Sequence, residues 1–266
     1  MSAIPEQVLE TPEAKDHVVP AVELFGIPVK AATMQDVLSS VQNSVRTRKP
    51  LHIGVVNAAK IVNMRRNSEL AEAVLQSDEI YADGISVVWA SRIIGRALPE
   101  RIAGIDLMHE ILACPEGYKV YCLGAKQAVL DEVIRQFGKD YPHAQVVGSH
   151  HGYFGEQDEA AVARDIAESK ADVLFVAITS PKKEQFMARW ADEMAVPVVH
   201  GVGGSFDVVA GVVERAPESW QKLGLEWLYR VKQEPGRLWK RYLVTNTLFA
   251  FAVIGEFLRV KLARNR

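Results

Sequence analysis

Cysteine is nearly absent: the 266 residues hold two, Cys114 and Cys122. They supply neither a disulfide framework nor a metal-ligand spacing, and so point to a reduced, cytosolic setting. The first twenty residues, MSAIPEQVLETPEAKDHVVP, lack the basic region and apolar run of a signal peptide. Polar, acidic and carrying three prolines, residues 1–20 read as a flexible lead-in. No G-x-x-x-x-G-K-[ST] loop is present, and neither Ser86 nor Ser205 sits in a G-x-S-x-G elbow, which removes two common nucleotide and hydrolase signatures. The pair His150-His151 has no carboxylate or cysteine at ligand spacing, so no metal site is predicted. There is no internal repeat, no low-complexity tract and no long apolar run. The most apolar stretch, within TLFAFAVIGEFLRVKLARNR, holds for about a dozen residues, against the roughly 20 needed to span a bilayer.

What is present is ordinary globular composition, 48% hydrophobic and 24% charged. The charge is unevenly divided. From Arg230 onward nine Lys and Arg face only Glu234 and Glu256, a surplus of +7. The net −2 of the whole chain then leaves −9 for residues 1–229. A basic end on an otherwise acidic chain implies an anionic partner surface.

AVELFGIPVKAAT reads as a hairpin around Gly26 and Pro28, and Met34, Val37, Leu38, Val41 and Val45 recur at helical spacing after a Thr33 N-cap. Then LHIGVVN, EIYA, KVYCLG, AQVVGSH, VLFVAIT and VPVVHGV alternate with helical stretches near 58–76, 84–95, 104–113, 126–138, 156–169 and 181–193. The predicted fold class is α/β, a Rossmann-like parallel sheet with helices on both faces. Ligands bind at strand ends in such sheets. Asn57, Asp83, Gly124, Ser180-Pro181 and the run Gly201 to Gly204 all fall there.

HGVGGSFD supplies Gly201 and Gly203 of a dinucleotide fingerprint, but Phe206 takes the third glycine's place and the strand is a late one, which disfavours a nicotinamide enzyme. With Gly204, these glycines either offer N–H groups to phosphate or merely form a tight turn. Asp83, which precedes Gly84, either caps the helix that follows or works as a base at the cleft mouth. LPERIAGIDL adds Arg101 and Asp106 in a polar loop, able to line one cleft with Asn57 and Asp83.

ESWQKLGLEWLYRVKQEPGRLWKRYL is rich in Trp and Arg and broken at Pro235-Gly236; the apolar stretch after it reads as an interfacial helix or a terminal helix packed on the core or on a second copy. Its cations lie beside apolar faces, which favours a lipid surface and no nucleic acid. The predicted organisation is a lead-in over 1–20, a core over 21–229 and a helical, basic appendage over 230–266.

VVNAAKIV, ADGISVVWASR, LPERIAGIDL, GYF, SPKKEQF, GVGGSFDVVAG and ERAPESWQKLGLEWLYRVKQEPGRLWKRY, in this order, resemble the WecB/TagA/CpsF glycosyltransferases, sugar-transferase family 26, from about Leu24 to Leu243. The resemblance implies an inverting, metal-independent transferase without a cofactor, acting peripherally at the inner face of the cytoplasmic membrane. It would move a sugar from a UDP-sugar donor to a polyprenyl-diphosphate-linked glycan acceptor, docking on anionic lipid through its tail. Asp83 matches the family's proposed base and Asn57 the asparagine beside the sugar pocket. Val55 stands where teichoic-acid members have threonine, which favours glucose, in exopolysaccharide assembly, over N-acetylmannosamine or its uronate. SPKKEQF departs from the usual glycine and P-x-Q-E, leaving Gln185 as the candidate contact to uridine or ribose. Arg215, Arg230, Arg237 and Arg241 are candidates for the donor and lipid diphosphates. A homo-oligomer and a non-enzymatic nucleotide sensor at the membrane also fit these features.

Overall fold

The computed structural model describes residues 19–264, without the side chains of Arg237 and Arg264. Most of the 1–20 lead-in therefore lies outside the described residues. Strands β1 (Ala21–Leu24) and β2 (Ile27–Lys30) form the expected antiparallel hairpin. Its two turn residues, Phe25 and Gly26, both have positive φ, 58° and 81°, the twist that two-residue hairpins favour. Thr33 then caps α1 (Met34–Thr47) through a capping box: the Asp36 N–H donates to Thr33 Oγ1, and the Thr33 N–H donates to Asp36 Oδ2 at 2.8 Å.

Six further strands lie parallel to one another: β3 (Leu51–Val56), β4 (Glu79–Ala82), β5 (Lys119–Gly124), β6 (Gln145–His150), β7 (Val173–Ala177) and β8 (Val198–Gly201). With the hairpin they form one eight-stranded sheet in the order β1-β2-β4-β3-β8-β7-β5-β6. The strands read as near-continuous apolar runs because both faces are covered. Val120 and Cys122 of β5 enter one core cluster, while Tyr121 and Leu123 enter another.

Helices α1, α5 (Gly104–Leu112), α6 (Gln127–Asp140) and the short α9 (Ser205–Val209) pack on one face. On the other lie α2 (Ala58–Met64), α3 (Ser68–Leu75), α4 (Ile85–Ile94), α7 (Glu159–Ser169) and α8 (Lys182–Met194). The single helix expected over 58–76 is two. Asn67 adopts an extended backbone and its side chain accepts from the Leu70 N–H, so it starts a second helix where the first ends.

The carboxyl-terminal part corrects one expectation. After α10 (Glu218–Lys222) and α11 (Glu226–Gln233), the break at Pro235 is real, but beyond it α12 (Pro235–Arg264) is one unbroken helix of 30 residues. Pro235 fits its first turn, where a missing N–H costs nothing. Leu238–Ala263 is long and apolar enough to cross a membrane, by length and composition only. The sequence looks shorter because Thr245, Asn246 and Thr247 dilute its first half.

This helix lies against α2 and α4, burying Phe249, Ala252 and Val260. The Phe249 ring meets that of Phe25 at 5.5 Å between centroids, and Arg259 pairs with Glu23 at 3.0 Å. Glu256, in phase with the buried stripe, is covered and accepts from Arg259 at 2.7 Å. The opposite side stays open and apolar: Leu243, Phe251, Ile254, Leu258 and Leu262 are all exposed. The expected boundary at 229/230 falls inside α11.

Candidate active site

β3 and β4 pair in register up to Val56 and Ala82, so the next residues, Asn57 and Asp83, leave the sheet side by side. The Asp83 N–H continues the ladder to the Val56 carbonyl at 2.9 Å. Asn57 is the N-cap of α2, its Oδ1 accepting from the Lys60 N–H at 3.0 Å. That bond fixes the amide orientation and turns Nδ2 toward Asp83 Oδ2, 3.3 Å away.

Asp83 does not cap the helix that follows it. The N-cap of α4 is Gly84, with no side-chain bond. Instead Asp83 Oδ1 accepts from the N–H of Gly104, the first residue of α5, at 3.1 Å. The half-buried carboxylate thus sits at the positive end of a helix from a distant part of the chain, held through both oxygens.

Gly104 is itself clamped. His200, fully buried at the end of β8, donates Nε2–H to the Gly104 carbonyl at 2.9 Å. Burial and the cations Lys183 and Lys60 bring its pKa down to about 4 against the opposing pull of that bond and of Asp83, so it is neutral near pH 7. Its Nδ1 is buried without a partner.

On the other face, Lys183 of α8 runs across the end of β8. A Cβ on Gly201 would stand 3.0 Å from Lys183 Cδ, so the glycine lets the lysine lie close against the strand end. Lys183 is 7% exposed, and its Nζ lies 3.3 Å from Glu184 Oε1. Lys60 Nζ takes the same oxygen at 2.8 Å. Burial and the neighbouring Lys60 charge lower the Lys183 pKa to about 8, although Glu184 and Asp83 pull it up. A cavity of about 30 Å³ borders this group, with Val55, Lys60, Lys183 and Gly201 in its wall.

The polar loop forms a second group. The Arg101 guanidinium donates to Glu226 at 2.7 Å and to Asp106 at 3.3 Å, and Arg215 meets the other Asp106 oxygen at 2.5 Å. Asp106 therefore bridges two arginines, and Arg101 ties α11 to the core. Gly224 permits the close approach: its φ is 68°, and a Cβ there would stand 2.6 Å from Ile85 Cγ2.

Of the sequence candidates, the structure joins Asn57 to Asp83, Arg101 to Asp106, and Asp106 to Arg215. Gly201 and Gly203 approach Lys183, and the Gly203 N–H is already engaged by the Val176 carbonyl at 3.3 Å. Gly204 is the N-cap of α9. Gly124 ends β5 on the same sheet edge, four strand spacings from β4, or roughly 19 Å. Gln185 donates to Glu69 of α3 at 3.1 Å; the α8 residue that meets the glycine turn is Lys183. Arg230 and Arg241 are exposed on α11 and α12, and the Arg237 side chain lies outside the described residues.

Lys183, Lys60, Glu184 and His200 escaped the sequence reading. A signal existed: Lys183 is three and four residues before the buried Phe186 and Met187, hence on the core face of its helix, and His200 ends an otherwise apolar strand.

This edge gathers a held carboxylate, buried cations and the N-termini of α2, α5 and α8, an arrangement suited to a proton transfer beside an anionic group. A family model described as the glycosyl transferase WecG/TagA/CpsF family matches residues 22–263, so the match runs through α12 nearly to its end. The chain belongs to the WecG/TagA/CpsF family of glycosyltransferases.

Proposed function

We propose that this glycosyltransferase inverts configuration while moving a hexose, glucose in the favoured case, from a UDP-sugar to a polyprenyl-diphosphate-linked sugar of a cell-surface glycan. The observation that carries this reading is the placement of Asp83. Its carboxylate is held by Gly104 and Asn57 at the carboxyl edge of the sheet and caps no helix of its own.

In the step we envisage, Asp83 takes the proton of the acceptor hydroxyl. The hydroxyl oxygen forms a bond to the anomeric carbon from the face opposite UDP. The bond from that carbon to the β-phosphate oxygen breaks, and its electron pair leaves with UDP. An α-linked donor then gives a β-linked product. Val55, buried and apolar, offers no hydroxyl to an acetamido group, in keeping with a neutral hexose.

The appendage supplies the acceptor side. Exposed Arg230 and Arg241, with the open apolar face of α12, suit the headgroup region of an anionic inner leaflet, where each cation contributes on the order of 1 kcal/mol. Their charge is available to the acceptor diphosphate.

Purified enzyme given a panel of UDP-sugars and a polyprenyl-diphosphate-sugar acceptor in detergent should release UDP only when acceptor is present. Asp83→Asn should abolish release while the fold is retained. Full turnover by Asp83→Asn would refute its role as base, and silence with every donor would refute the transferase reading for UDP-sugars.

A further inference from the structure

The cluster behind Asp83 has an unusual charge count. Lys60 and Lys183 share a single carboxylate oxygen of Glu184, and all three side chains are at least seven-eighths covered, with 12%, 8% and 7% exposure. Enclosing two ammonium groups around one carboxylate is costly unless further negative charge completes the set. With Asp83 ionised, the four groups sum to zero. When Asp83 accepts a proton they sum to +1.

Lys183 is also the member that borders the glycine turn. Its Nζ is 3.2 Å from the point where a Gly201 Cβ would stand and 3.9 Å from the corresponding point at Gly203, so it lies along the glycine turn at the sheet edge. The missing side chains there let its ammonium come close to the backbone of the turn. The second Glu184 oxygen has no hydrogen-bond partner, so the carboxylate faces its cations through one oxygen only.

We infer that Lys183 is the cation that receives the leaving diphosphate of the donor, its surplus charge appearing as Asp83 is protonated and the β-phosphate oxygen becomes negative. Proton transfer and departure are then balanced within one buried cluster: the positive charge uncovered on one side meets the negative charge made on the other. Lys60 holds Glu184 in place and acts as a positioning residue. This inference rests on the transferase reading above and adds the residue that recognises the donor's diphosphate.

The test is calorimetric titration of UDP, UMP and geranyl diphosphate into the full-length wild type, Lys183→Met and Lys183→Gln, each checked for folding by circular dichroism. The expected result is a ten- to hundredfold loss of UDP affinity in the lysine variants, with UMP changed by less than twofold. In turnover, kcat should fall by a larger factor than the donor KM rises. Should Lys183→Met fail to fold, the smaller, polar Lys183→Gln gives the same reading. UDP affinity unchanged in a folded variant would overturn the inference and leave the transferase reading standing. Loss confined to geranyl diphosphate would assign Lys183 to the acceptor and overturn the donor assignment. A wild type that binds no UDP would overturn both readings.

Discussion

His200 and Asp83 hold the same glycine from opposite ends: one binds the carbonyl of Gly104, the other its N–H. A buried ring on β8 thereby sets the position of a carboxylate that follows β4, two strands away in the sheet. Replacing His200 by Ala removes that clamp and opens a cavity. The expected cost is on the order of 3 kcal/mol in stability, measured by urea unfolding. In turnover, kcat should fall roughly tenfold to a hundredfold, because the carboxylate proposed as the base loses its anchor.

The same histidine makes the fold acid-sensitive. Its folded pKa, about 4, lies below the ordinary 6.5, so the unfolded chain binds the extra proton first. Stability from this group is complete above pH 6.5 and is lost as the pH falls toward 4, by on the order of 3 kcal/mol. Thermal melts from pH 7.5 to 4.5 should show the decline, and His200→Gln should flatten it.

At the alkaline end the sensitive group is Lys183. Its folded pKa of about 8 lies below its ordinary value, so its ammonium is lost from pH 8 upward while the unfolded chain stays protonated until about pH 10.5. Stability therefore rises over that window, but kcat/KM for transfer should fall above about pH 8. The charged and titratable groups facing it are Lys60, Glu184, Asp83 and His200. A pH–rate profile that stays level to pH 9.5 would refute it.

Glu226→Ala should release the Arg101 tie between α11 and the core. Because Glu226 is partly exposed, the loss in global stability should stay within about 1 kcal/mol. Limited proteolysis should nevertheless cut faster within residues 218–233, where the helices are short and rest on few buried side chains.

The two faces of α12 can be separated by mutation. Phe249→Ala should cost on the order of 3 to 4 kcal/mol, since its ring is buried against α2, α4 and Phe25. Phe251→Ser combined with Leu258→Ser should leave the melting temperature nearly unchanged, yet weaken flotation with anionic vesicles at least tenfold.

The sheet was legible in the sequence because its strands are short apolar runs delivering polar residues or glycines at one end. Thr33 announced α1 as its N-cap, ahead of apolar residues at helical spacing. The split at Asn67 was not, because an asparagine inside a helical pattern is either tolerated or a cap, and only the backbone decides. The length of α12 was hidden too, since polar residues at Thr245 and Asn246 read as an interruption until α2 and α4 are there to cover one face. In the site, Asp83 stood out from its place after EIYA, but its partner is the N-terminus of a helix that begins 21 residues later. Lys183 and His200 flank the end of β8 from opposite faces of the sheet, an arrangement fixed by strand order.

The first strands and the last helix share one core cluster, in which Leu24, Ile27 and Val29 lie with Phe249 and Val260. Synthesis runs from one end of the chain to the other, so those early strands emerge long before the helix that seals them. At about 5–20 residues per second, the more than two hundred residues between them take roughly ten to forty seconds to make. Throughout that interval the apolar side chains of these strands lack the cover that α12 gives them in the folded chain. This part of the core closes only once α12 has been made.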